Sequence, residues 1–291
     1  MTLTTRHSTP SPVQGPAWRR ALPTLALALL SLAGCAAAPR ILLPEPLPRV
    51  WIFGEQHDQV DQQRQVADLV RQMAYHRQLE AVVLEMAERG RDTAATPPGA
   101  DEDDVRSALA WDARAWSWTA YGPIVMAAVR AGVPVYGGNL PGGDLRRTMN
   151  DASFDAKLDA PTRERILVAL REGHCGHLPA ARETGMLRVQ VARDASMAGV
   201  ISTLLAEGRE ERVVLLHTGL QHAARDRGVP VHLQASGVEA GSIHVSGFGG
   251  TAQAAGLQVD SDWPARITER DDPCVGLAAK LNPPARAASA P

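Results

Sequence analysis

Aromatic side chains are scarce in this chain: three Phe, three Tyr and six Trp among 291 residues. Charge of one sign is missing too. Thirty Lys and Arg face 32 Asp and Glu for a net charge of −2, so there is no basic footprint for nucleic acid. Three cysteines are too few for a disulfide-scaffolded small domain. Long apolar runs are absent after Ala33, so nothing downstream reaches the roughly 20 residues needed to cross a bilayer as a helix. The chain also lacks a P-loop, a dinucleotide-binding glycine fingerprint and a nucleophile-elbow serine, which removes the commonest nucleotide and serine-hydrolase readings.

What is present begins with a leader. Arg19 and Arg20 precede the uncharged stretch Ala21–Ala33, and Leu32-Ala33-Gly34-Cys35 follows the lipobox pattern. Residues 1–34 therefore read as a lipoprotein signal peptide. Cys35 is the lipidation site that ties the chain to a lipid bilayer, with two or more acyl chains making the anchor stable. Residues 35–48, rich in Ala and Pro, read as a tether, residues 49–281 as one globular domain, and the Pro/Ala-rich residues 282–291 as a disordered tail. Cys175 and Cys274 remain, in a compartment that permits disulfides, and spacing alone does not decide whether they pair.

Within the domain, buried-strand runs alternate with helical spacing. Val50–Phe53, Ala81–Leu84, Val133–Tyr136 and Arg212–Leu216 are the strands, with Ile243–Phe248 near an edge. Helices are predicted at about 61–77, from Asp101 to Gly132 with a break near Tyr121-Gly122-Pro123, at 162–170 and at 187–205. Residues 87–100 are predicted as a loop. This order implies an α/β fold, a largely parallel β-sheet flanked by helices on both faces.

Each predicted strand ends in polar residues: Gly54-Glu55-Gln56-His57, Glu85, Asn139, and His217 followed by Gly219-Leu220-Gln221-His222. In open α/β sheets, ligands bind beyond the carboxyl ends of strands, so these groups are expected on one rim. A carboxylate directly after a buried strand needs a partner, because an unpaired buried charge is costly. Two turns share the spacing Gly-x-x-His, and His57 and His222 with Glu55 and Glu85 form a plausible oxygen/nitrogen set for a divalent metal. The same four residues can instead pair among themselves as a structural network. His174 and His177 flank Cys175 in a glycine-rich loop able to reach a ligand. Trp111, Trp116, Trp118 and Tyr121 are crowded together in a chain poor in aromatics; they can wall a planar ligand such as haem, with Tyr121 as an axial phenolate, or simply pack.

Taken together, Phe53–His57, Val83–Met86, Trp118 with Tyr121-Gly122-Pro123, Pro134–Leu140, His174–Pro179, Arg193–Ala198 and Gly219–Pro230 resemble the ChaN family of haem-binding lipoproteins. That family lies in a superfamily with Tiki proteases and erythromycin esterases. The resemblance implies haem as cofactor, a pocket shared between two subunits of a homodimer, and a role in haem or iron uptake at the cell envelope, with the anchor in the outer membrane facing the periplasm. It implies a tyrosine ligand to iron, Tyr121 before Tyr136, with Trp118, His174 and His177 as further haem contacts; a haem-binding reading also asks for cationic partners to the propionates, for which Arg114 is a candidate. The Tiki side implies a different use of the rim: a metal-dependent hydrolase, peptidase or esterase, with metal at His57 and His222 and with Glu55 or Glu85 as the catalytic base.

Overall fold

Runs that are apolar at every position need cover on both faces, and a parallel sheet between two helical layers supplies it. The computed structural model describes residues 2, 43–57, 59–269, 272, 274, 275 and 277. The predicted signal peptide apart from residue 2, Cys35 and the predicted tail therefore lie outside the described residues. In chain order the elements are β1 (Val50–Glu55), α1 (Val60–Tyr75), β2 (Leu79–Glu88), α2 (Glu102–Ala108), α3 (Trp118–Arg130), β3 (Val135–Asn139), α4 (Leu145–Met149), α5 (Ala160–Gly173) and α6 (Ala180–Glu207). They continue with β4 (Val213–Gly219), α7 (Leu220–Ala223), α8 (Val229–Ala235), β5 (Ile243–Phe248), α9 (Thr251–Ala254) and β6 (Ser261–Trp263). The strands form a six-stranded sheet in the order β3-β2-β4-β1-β5-β6, and every neighbouring pair is parallel.

The alternation along β1 shows how the layers divide. Val50 and Ile52 join Val214, Leu216, Met197, Ile201, Val229 and Leu233 in a core under α6 and α8. Trp51 and Phe53 point to the other face and stack with Phe248 and Trp263. On that side α1 and α3 pack together and against β2. The chain moves from β1 through β2 to β3 by way of α1 and α3, then returns to β4 and β5 by way of α6 and α8. β4 is thereby inserted between β2 and β1, and the carboxyl ends of these three strands adjoin where the chain reverses direction, the place where α/β sheets open a crevice. Register completes the arrangement. Glu55 pairs with Gly219 and Leu84 with His217, so Glu85 falls beside Thr218.

Several elements differ from the sequence expectation. The predicted break near Tyr121–Pro123 lies earlier: α2 ends at Ala108, Ala110 is left-handed with φ 46°, and α3 runs through Pro123. Proline removes one bond to the carbonyl four residues back, here Thr119 in the exposed first turn, where water can replace it. β2 continues past Glu85 to Glu88, with a register irregularity against β3. Gly137 permits this close passage, since a Cβ there would lie 2.1 Å from the Glu88 carbonyl oxygen. α6 begins at Ala180, seven residues before the apolar stripe, and β6 was not anticipated. Cys175 and Cys274 form a disulfide.

Candidate functional site

Glu55 is the last residue of β1 and is 2% exposed. Its Oε1 accepts from the Tyr121 hydroxyl at 2.7 Å and lies 3.0 Å from His57 Nδ1. Its Oε2 accepts from Gln63 Nε2 and lies 2.8 Å from His217 Nε2, a close contact poorly aligned for a hydrogen bond. Burial works against the Glu55 charge, but His217 and His57 outweigh it and hold the carboxyl at about 2.

Glu85 forms the second centre. Its Oε2 accepts from Thr218 Oγ1 at 2.8 Å and from the Gly219 N–H at 2.7 Å. Its Oε1 lies 3.4 Å from His222 Nε2 and 4.0 Å from His57 Nε2. Burial opposes its ionisation, yet His222, His57 and the Gly219 amide keep it well below the usual carboxylate range. On its other side His222 Nδ1 is 2.6 Å from Asp194 Oδ1 on α6. Burial alone would lower the His222 pKa, but Glu85 and Asp194 raise it to about 10. Asp194 is itself raised to about 6, chiefly by burial. The direction that governs both is a protonated His222 held between two acidic groups.

His57 is the open member of this set. Its side chain is 41% exposed, against 3% for Glu85 and 8% for His222. The imidazole meets Trp116 edge to face at 4.9 Å. Its pKa is raised: burial pulls down, while the Glu55 hydrogen bond and the Glu85 charge push up further. The ring borders a cavity of about 470 Å³ lined also by Trp116, Gln190, Arg193, Leu220 and Gln221.

The structure thus brings Glu55, His57, Glu85, His222 and Tyr121 together. It separates others. Trp118 lines a different groove, of about 810 Å³, beside Tyr75, Arg71 and Arg130, and its indole N–H donates to Glu102. His174 sits just past α5 with Nδ1 2.7 Å from the Leu170 carbonyl oxygen, and His177 is exposed in the same disulfide-bonded turn. Arg114 is exposed and pairs with Asp112. Tyr136 packs against the α6 side of the sheet, its phenol pushed up by burial and by Asp92, Glu207 and Glu80. No His, Cys, Asp or Glu group among the described residues is arranged to hold a metal ion. Of the donors expected to bind a divalent metal, His222 is instead held between Glu85 and Asp194, so the four-residue set as it stands does not converge on one.

Asp194, Gln63 and Thr218 belong to the site without having been given a role from sequence, and His217, expected on the rim, had been given none beyond its place there. Asp194 had a readable signal: it follows Leu187 and Val191 and precedes Ala198 at helical spacing, a charge inside an apolar stripe. Gln63 had none, since it falls on a helix rich in glutamine.

Three solved structures resemble this chain. ChaN of Campylobacter jejuni with cofacially bound haem superposes with a TM-score of 0.57 at 19% identity, covering 69% of this chain and 81% of that one. An erythromycin esterase mutant in its open conformation gives 0.40 at 12% identity over 69% of this chain and 70% of that one. The type III effector HopBA1 gives 0.38 at 10% identity over 75% and 88%. No curated protein matches. The family model described as haem-binding uptake, Tiki superfamily, ChaN matches residues 48–233, which span β1 through α8 and every residue of the rim cluster. On that match the chain belongs to the ChaN haem-binding uptake family of the Tiki superfamily.

Proposed function

We propose that this protein binds haem at the carboxyl rim of its sheet, with His57 facing the iron. The observation that carries the reading is the state of His57. Its Nδ1 is held by the Glu55 carboxylate at 3.0 Å, and its half-exposed ring borders the cavity. A histidine whose other nitrogen is fixed by a carboxylate is the usual arrangement at a metal, because the carboxylate sets the tautomer and raises ligand basicity. Trp116 and Leu220 offer apolar surface for a macrocycle, so the residues fit the group. Bound haem would supply the iron centre that the uptake role requires.

Tyr121, the tyrosine first expected to reach iron, has a different part in this proposal. Its hydroxyl is committed to Glu55, which steadies the carboxylate behind His57. A second copy of the chain would cover the open side of this rim. Acylation at Cys35 would place the protein on the outer membrane, facing the periplasm. Haem titration tests the reading: the wild-type protein develops a Soret band that is lost or displaced in His57→Ala, and a wild-type protein that gives no Soret band ends the proposal.

One observation favours a second reading, hydrolysis at the same rim. A protonated His222 between Glu85 and Asp194, behind an open cavity, is the kind of displaced acid–base pair used to move protons. Turnover of ester or peptide substrates that is lost in His57→Ala would support it.

A further inference from the structure

Two arginines at the mouth of this site have no assigned work. Arg193 lines the 470 Å³ cavity, and Arg227 lines a smaller one of about 70 Å³. The two cavities adjoin, sharing Gln190 and Gln221 in their walls. In both arginines Nε is buried without a hydrogen-bond partner. Arg227 has a loose contact with Asp226, at 3.7 Å, and its side chain is 13% exposed. A guanidinium is always charged, and leaving one of its donors buried and unmatched is costly unless something supplies an acceptor.

The acidic groups nearby do not supply it. Glu85 accepts from Thr218 and Gly219 and faces His222, and Asp194 turns Oδ1 to His222 while its Oδ2, like the two guanidinium Nε atoms, is buried without a hydrogen-bond partner. The smaller cavity adds Ile166, Ala169 and Leu170, so apolar wall lies next to Arg227, with Asp194 in the same wall turned through Oδ1 to His222.

We infer that the double cavity is built for an amphipathic ligand carrying carboxylates, with Arg193 and Arg227 as the groups that grip them. The inference rests on the haem reading in one respect, that haem with its two propionates is such a ligand. The chemistry asks only for planar oxyanions, which a guanidinium fork binds through two parallel hydrogen bonds. Arg193 and Arg227 would then set specificity, while His57 faces the iron.

The test compares haem with haem dimethyl ester, which has the same ring and no charge. Wild-type protein should prefer the diacid by on the order of tenfold or more. Arg193→Gln and Arg227→Gln should each erode that preference by weakening the diacid more than the diester, and Arg193→Lys should retain part of it. Melting temperatures of the same variants show whether each is folded. Equal binding of diacid and ester by the wild type, or wild-type preference in both Gln variants, overturns the inference and leaves haem binding standing. If the wild type binds neither compound, the haem reading has failed. The arginine assignment is then decided by titrating benzoate against benzamide while following the His57 ring by NMR. A benzoate response that Arg193→Gln abolishes sustains it, and identical responses in the two proteins refute it.

Discussion

Replacing Glu55 by Gln removes the negative charge on which His57, His217, Gln63 and Tyr121 all converge. The size of the effect follows from linkage. The carboxyl sits at about 2 in the folded protein against 4.5 when free. The folded pKa is depressed, so its stabilisation is complete above 4.5 and is lost as pH falls towards 2. A displacement of that size is worth about 3 kcal/mol at neutral pH. Breaking a buried pair from one side gives a similar figure, roughly 3–5 kcal/mol. Urea unfolding of both proteins at pH 7 should therefore separate them by about 3 kcal/mol, and roughly half of that gap should remain near pH 3. A difference below about 1 kcal/mol at pH 7, or one that does not shrink with acid, would refute the charge-centred account of the rim.

Three further outcomes follow from the same geometry. His222, raised from 6.5 to about 10, stabilises the fold below 6.5 and loses that contribution as pH climbs towards 10; the wild type should therefore lose more stability over this range than His222→Gln, which keeps the decline that comes from the raised His57, as read by thermal melts. Gly219→Ala places a Cβ 2.8 Å from His57 Nε2 while the backbone, at φ −65°, accepts alanine; it should displace the half-exposed His57 and weaken haem binding while costing less than about 1 kcal/mol in urea. Cys175 and Cys274 close a loop of 99 residues, so Cys175→Ser with Cys274→Ser should lower stability by up to about 4 kcal/mol, with reductant giving the same loss in the wild type.

The rim was legible because burial leaves a mark on composition. Val50–Phe53 and Arg212–Leu216 carry almost no polar residue until the strand ends, so Glu55, His217 and His222 stand out, and the rule for strand termini places them together. The parallel sheet followed from the same runs. Other features left no such mark. β6 is three residues long and depends on Trp263 packing against Phe53 and Phe248, a tertiary contact with no local period. The helix break spans residues 109–117, and its left-handed residue, Ala110, is not glycine, which hid it behind the more conspicuous Pro123. Tyr121 and Trp118, three residues apart, suggested one shared slot. In the fold Tyr121 turns inward to Glu55, while Trp118 lies over Gly122, where a Cβ would meet its ring at 2.7 Å. Helical spacing brings two side chains near each other without deciding which of them enters the site.

Resonance Raman spectra of the haem complex in wild-type, His57→Ala and Tyr121→Phe proteins test the central claim most directly. Ligation through His57 predicts an iron–imidazole signature that His57→Ala removes and Tyr121→Phe preserves. Iron–phenolate vibrations that vanish in Tyr121→Phe and survive in His57→Ala would contradict it.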